Sequence, residues 1–350
     1  MSSRNKTPQN IIDLNKILHQ NDSTEIKQMV TEFELNGWCF VFLPAELIPD
    51  SNLINEISNF FQSNKRKNNY SQRSAIYGYS SVNHKEGIKL LTGSHFGTFA
   101  NRGLVPAELV QPLNYLSQML DATTKRLIEL LDQHSVFQQE SSLSSLIEHA
   151  NLPLQDEHFG MLDIVSYFNN KSGVQTPENG KSTDEVNCVP HYDPGLLSIS
   201  ILSTHEGLQL KNMKNNQWID GPLESNIGVI WLGEAASRVT QNRLKPGIHR
   251  VIYPHEPKCR LTIWYELCTI EQLENLSGTK KNELMTNGFV EFENLPGSTP
   301  IAVVSGESKL DFLKRVERGL GLSMSKSGRL YYTLEKHPIS YLTNNNSLTE

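Results

Sequence analysis

The chain of 350 residues has no apolar run approaching the ~20 residues needed to cross a bilayer. Its start, MSSRNKTPQN, is polar with no apolar segment behind it, which predicts a cytoplasmic protein without a membrane partner. Positive charge is also in short supply. Lys and Arg total 32 against 38 Asp and Glu, a net charge of -6, and no segment carries the extended basic excess that phosphate neutralisation requires. A nucleic-acid surface is therefore excluded, and the densest basic cluster, Lys65-Arg66-Lys67, reads as a solvated turn. Cysteine is scarce: Cys39, Cys188, Cys259 and Cys268 are scattered without CxxC spacing, which suits reduced thiols better than a disulfide framework. Cys188 stands three residues before His191, an odd offset that in an extended chain puts the two on opposite faces, so it reads as packing.

What is present divides the chain near residue 150. In the first half, IIDLNKIL reads as a short strand running into a turn. The next segment, NDSTEIKQMVTEFELNG, repeats Ile26, Met29, Val30 and Phe33 at helical spacing, with Ser23 or Thr24 to cap it and Gly37 to end it. WCFVFLP follows as a buried strand and LINEISNFFQSN as a second amphipathic helix; Lys65 to His84 reads as irregular. LVQPLNYLSQMLDATTKRLIELLDQH gives the longest helical pattern, with an apolar stripe through Leu116, Leu120, Leu127 and Leu131. The expectation for residues 1–150 is a mostly helical region packed on a core.

In the second half, residues 151–350, short apolar runs alternate with Gly, Pro and Asn turns: MLDIVSYF, GLLSISIL, GLQLKN, QWIDGP, IGVIWLG, HRVIYP and RLTIWYEL. Strands at that spacing predict a sandwich or barrel. Residues 169–187 read as a long polar loop, SKLDFLKRVERGLG as a C-terminal helix, and the whole chain as one integrated globular unit.

Chemistry concentrates in VPHYDPGLLSISIL, residues 189–202. Read as the mouth of a strand, it points His191 and Asp193 to one face and Tyr192 to the other. A second triplet, His84-Lys85-Glu86, lacks strand context and reads as coincidence. GIHRVIYP adds His249 at the head of another strand, and two imidazoles with one carboxylate make the facial triad that suits non-haem Fe(II). RLTIWYEL places Arg260 and Thr262 on one face, where a guanidinium and a hydroxyl can receive a carboxylate.

The order of these motifs resembles the isopenicillin-N-synthase-like family of Fe(II)/2-oxoglutarate-dependent oxygenases. HYD, an apolar strand, Gly207-Leu208-Gln209, QWIDGP, IGVIWLG, Gln241-Asn242-Arg243, HRV and Arg260-Leu261-Thr262 follow that family's sequence of motifs, with Thr262 where the family carries Ser. The resemblance implies a double-stranded β-helix (jelly-roll) core with flanking α, and iron held by His191, Asp193 and His249. It also implies 2-oxoglutarate held by Arg260 and Thr262, and a contact from Tyr167, although Val165 stands where the family usually has Asn. Implied cofactors are Fe(II), 2-oxoglutarate as cosubstrate and O2, with ascorbate as a reductant; the implied activity is hydroxylation, desaturation or ring closure of a small-molecule substrate with release of succinate and CO2. Two alternatives stay open on the residues alone: a family oxidase that does not use 2-oxoglutarate, and a non-catalytic barrel that only binds a small ligand. The walls of a substrate pocket would come from Tyr77, Tyr79, His95, Phe96, the 169–187 loop and the C-terminal helix.

Overall fold

The computed structural model describes residues 10–70, 78–82, 85–91, 105–134, 142–146, 160–167, 186–193, 195–240, 243–253, 258–269, 322–324 and 330–332. The 169–187 loop, apart from residues 186 and 187, lies outside them, as do Tyr77, His84, His95, Phe96 and the expected C-terminal helix.

Two sheets form the core. The larger holds eight strands: β1 (Ile11–Asp13), β2 (Trp38–Phe42), β3 (Gly78–Val82), β4 (Lys85–Leu91), β5 (Gly160–Tyr167), β7 (Leu197–Ser203), β10 (Ile227–Leu232) and β12 (Arg260–Leu267), in the order β1-β2-β10-β7-β12-β5-β4-β3. The smaller holds six: β6 (Val186–His191), β8 (Leu208–Asn212), β9 (Gln217–Asp220), β11 (His249–Ile252), β13 (Leu322–Met324) and β14 (Leu330–Tyr332), ordered β13-β14-β6-β11-β8-β9. From β5 to β12 the chain crosses between the two sheets at each step except the β8–β9 hairpin, which stays in the small one, as in the jelly-roll expected from the sequence; β1 with β2 is the single parallel pair among the described strands. Strands β1 to β4, from the helix-rich first half, hydrogen-bond into the same sheet as β5, β7, β10 and β12.

The large sheet is buried on both faces, and its two faces differ in chemistry. Toward the helices it presents Ile164, Ile199, Ile230, Ile263 and Tyr265, which join one apolar cluster with residues of the first half. Toward the small sheet it presents Trp38, Phe40, Val229 and Trp231, which pack against Leu208 and Leu210. Trp38 also crosses between the sheets, donating its Nε1–H to the Lys211 carbonyl at 2.7 Å.

The helices are α1 (Leu14–Gln20), α2 (Ser23–Leu35), α3 (Ser51–Gln62), α4 (Asn64–Asn69), α5 (Ala107–Gln133) and, after β10, α6 (Glu234–Val239). IIDLNKIL is strand and then helix, not strand and then turn. Asp13 terminates β1 and caps α1, its carboxylate accepting from the backbone N–H groups of Asn15 and Lys16. In α2 the cap is Asp22 rather than Ser23 or Thr24, because its side chain accepts from the N–H groups of Thr24 and Glu25. Gly37 follows the helix at φ 76, a conformation that favours glycine.

Two described stretches of the segment expected to be irregular are regular: Lys65-Arg66-Lys67 lies in α4, and residues 78–82 form β3. The basic triplet is no solvated turn, since Lys67 Nζ pairs with the buried Glu86 carboxylate at 2.9 Å. Tyr79 donates to the same carboxylate at 2.7 Å and packs edge-on against Phe60, so this tyrosine is packing and not a pocket wall.

The long helix α5 crosses the outer face of the large sheet, burying Leu116, Leu120, Leu127 and Leu131 as the periodicity predicts. One buried polar contact anchors it to β12: Tyr265 donates its hydroxyl to Asp121 Oδ1 at 2.7 Å. A hydrogen bond to a charged acceptor contributes about 1.5 to 3 kcal/mol. Tyr265→Phe is accordingly expected to lower stability by about that amount, read as a shift in the denaturant midpoint at unchanged slope; an unchanged midpoint would mean that the apolar stripe alone holds the helix.

Candidate active site

The HYD triplet does not open the apolar strand, as its sequence position suggests. His191 is the last residue of β6, and Asp193 lies in the connection that leaves the small sheet for β7 in the large one. His249 heads β11, directly opposite His191 in an antiparallel pair, so the two imidazoles are neighbours within one sheet and not on facing sheets. Their ring centroids are 4.2 Å apart.

Asp193 Oδ1 lies 3.8 Å from His191 Nε2 and 4.0 Å from His249 Nε2. The three side chains are buried, and their candidate ligand atoms all fall within 4.8 Å of one another; among the described residues no other trio of His, Cys, Asp and Glu gathers in this way.

The hydrogen bonds around the trio orient it. His249 Nδ1 is 3.0 Å from the Gly247 carbonyl. Only a protonated Nδ1 can make that bond, which leaves the Nε2 lone pair directed at the trio's centre. Asp193 Oδ2 accepts from Ser198 Oγ at 2.9 Å and from Trp231 Nε1 at 2.7 Å, and Oδ1 is the oxygen turned toward the imidazoles. Trp231 also lies against the His249 ring, with centroids 4.7 Å apart.

The backbone of the connection is pinned as well. Glu234 donates its N–H to the Asp193 carbonyl at 2.8 Å, and Gly195 donates its own to the buried Glu266 carboxylate at 3.0 Å. Gly233 must be glycine, because a Cβ there would run into the Gly195 carbonyl. Tyr192 is buried, and burial, with the Glu234 charge adding to it, pushes its phenol well above the usual range. It therefore stays protonated and is no candidate base.

Two imidazoles and one carboxylate, preoriented and buried, fit a divalent metal that accepts nitrogen and oxygen donors and keeps further positions for exogenous ligands. That is the donor set of a non-haem Fe(II) centre.

A second cluster occupies the inner face of the large sheet. Arg260 and Thr262 lie at the head of β12, 2% and 4% exposed, with Arg260 opposite Tyr167 and Thr262 opposite Val165 on β5. The Arg260 guanidinium lies 5.2 Å from the Tyr167 ring centroid. Val165 and Tyr167 pack on Val251 of β11, so this face looks across to the strand that carries His249. The position where an Asn was expected is part of that small apolar contact.

Two supporting residues escaped the sequence reading, Ser198 and Trp231. Their signal was weak. Serine in an apolar strand reads as a polar break, and tryptophan in IGVIWLG reads as core, although a buried indole N–H needs an acceptor.

Residues 164–268 match the sequence model of the 2OG-Fe(II) oxygenase superfamily, a match that does not single out the isopenicillin-N-synthase-like branch. A 2-oxoglutarate-dependent dioxygenase of Monascus ruber is 34% identical over 62 residues, 18% of this chain. That match spans only 19% of the relative's length.

Among solved structures, full-length T7H of Neurospora crassa in complex with alpha-KG superposes with TM-score 0.57 at 20% identity, covering 74% of this chain and 85% of that one. The Arabidopsis thaliana dioxygenase for auxin oxidation 1, in its 2-oxoglutarate binary complex, gives 0.54 at 17% identity, over 74% of this chain and 92% of the other. At these identities the likeness is one of fold, and the fold they share with this chain is the double-stranded β-helix.

The hydrogen bonds to Asp193 yield a prediction. Trp231→Phe removes one of the two donors to Oδ2, and loss of such a supporting contact typically weakens metal affinity 10- to 100-fold. Anaerobic Fe(II) titration should show that loss with the circular dichroism spectrum unchanged, while His191→Ala and His249→Ala should abolish binding. Wild-type affinity in Trp231→Phe would show that Ser198 alone orients the carboxylate.

Proposed function

We propose that this chain, whose residues 164–268 carry the domain of the 2OG-Fe(II) oxygenase superfamily, is a cytoplasmic non-haem Fe(II)- and 2-oxoglutarate-dependent oxygenase acting on a small molecule. The observation that carries the proposal is the pairing of two clusters across one inter-sheet space: the His191, Asp193 and His249 trio at the end of the small sheet, and buried Arg260 with Thr262 on the large one. His191, Asp193 and His249 hold the iron. Arg260 and Thr262 receive the distal carboxylate of 2-oxoglutarate, with Tyr167 flanking the guanidinium. When bound, the iron and the keto acid activate O2 and convert the keto acid to succinate and CO2, with ascorbate serving as reductant. The protein's part is to fix geometry and exclude water.

Hydroxylation is the default outcome, with desaturation or ring closure of the substrate as the alternatives. The chain acts as one unit, a reading supported by the strands of the first half that complete the large sheet. Buried free thiols at Cys39 and Cys268 suit a reducing compartment.

The test is stoichiometric. With Fe(II) and O2 present, 2-oxoglutarate consumption should match succinate release, and Arg260→Leu should weaken 2-oxoglutarate by roughly two to three and a half orders of magnitude, because removing one partner of a desolvated charge pair costs about 3 to 5 kcal/mol. Iron binding should survive that substitution. Substrate turnover without any keto acid would favour the oxidase alternative, and iron binding without either reaction would favour a ligand-binding barrel.

A further inference from the structure

The geometry points to Ser203 as the residue that sets how Arg260 presents itself to the cosubstrate, a role that rests on the 2-oxoglutarate reading above. Arg260 Nε donates to Ser203 Oγ at 2.9 Å, and that hydroxyl donates in turn to the His205 carbonyl at 2.9 Å. The serine hydroxyl is thus committed on both sides, as an acceptor from the guanidinium and as a donor to the backbone. Its position relative to the sheet is fixed, and it takes the one N–H at the elbow of the arginine side chain. Tyr167 fixes the plane of the same group from its face. The side-on fork that would use Nε is thereby closed to a carboxylate, which would have to meet the guanidinium through its terminal nitrogens.

A distortion in β7 makes the contact possible. Ser203 pairs with Thr262 and Leu202 with Ile263, but the next pair is Ser200 with Trp264, so Ile201 has no counterpart on β12. Strict alternation would put Ser203 on the opposite face from Ser198 and Ser200. The extra residue changes the parity. Ser198 therefore serves Asp193 and Ser203 serves Arg260 from the same side of one strand, while Ile201 goes into the helix-facing cluster. Ser203 is a positioning residue: it holds the group that binds the keto acid and does not take part in the reaction.

The experiment compares equilibrium binding of two keto acids to the Fe(II)-loaded protein without oxygen: 2-oxoglutarate, and 2-oxobutanoate, which lacks the distal carboxylate. Ser203→Ala should weaken 2-oxoglutarate about tenfold, the size expected for one hydrogen bond to a charged group, and leave 2-oxobutanoate unchanged. Ser203→Thr, which keeps the hydroxyl, should restore most of the loss. Equal weakening of both acids, or a Thr variant as weak as Ala, would overturn the role, since either result reports damage to the strand in place of lost orientation. Arg260→Leu is measured alongside. If it weakens 2-oxoglutarate and Ser203→Ala does not, the serine's role falls and the cosubstrate site stands. If neither variant weakens it, the cosubstrate lies elsewhere and both readings fall.

Discussion

The Asp193 carboxylate is where the two sheets are tied together. Its backbone belongs to the chain leaving the small sheet, yet its outer oxygen is hydrogen-bonded by Ser198 and Trp231, both on the large one. The other oxygen faces the two imidazoles at 3.8 and 4.0 Å. A carboxylate this deeply buried is tolerable only when polar groups surround it or a cation joins it. The surrounding framework serves that requirement: Glu234 and Gly195 pin the connection on either side, and Gly233 is small because the Gly195 carbonyl occupies the space of a Cβ. The free energy to hold buried polar groups comes from elsewhere, from the apolar cluster that the large sheet buries against the helices.

The large sheet can host this chemistry because its two faces carry different burdens. Among the described residues its helix side is mainly hydrocarbon, interrupted by the Tyr265 to Asp121 contact and the Glu86 cluster. Its inner side carries Ser198, Arg260, Thr262 and Glu266 among tryptophans, a polar lining buried by the second sheet. Polar groups placed there are desolvated, which strengthens their interaction with any anion or cation that enters. The bulge at Ile201 is the local device that lets one strand contribute both to the metal end and to the arginine end of that lining.

Much of this was legible in the sequence. Each of the seven strands expected from MLDIVSYF to RLTIWYEL is present, and so are the three longest of the described helices, because apolar period and turn residues agree there. The motif order was equally plain, since His191, Asp193, His249, Arg260 and Thr262 occur at spacings that strands can use. Less legible were features that depend on contacts between distant segments. Asp13 as a cap, the helix through Lys65-Arg66-Lys67 and the pairing of Lys67 with Glu86 need partners that no local window contains. Ser198, Ser203 and Trp231 were hidden for a further reason: a sheet buried on both faces has no clean alternation, so its functional polar residues look like interruptions of a core strand. A bulge leaves no mark in the sequence at all, and with it went the parity that brings Ser203 to Arg260.

On the function proposed above, the His191, Asp193 and His249 trio and Arg260 form one site that holds Fe(II) and 2-oxoglutarate together. The most direct measurement is an anaerobic titration of the protein with both, following the visible charge-transfer absorption of a keto acid chelated to iron. A band should appear only when both are present, saturate at one of each per chain, and be lost in His191→Ala. A folded protein that binds iron but develops no band at saturating 2-oxoglutarate would contradict it.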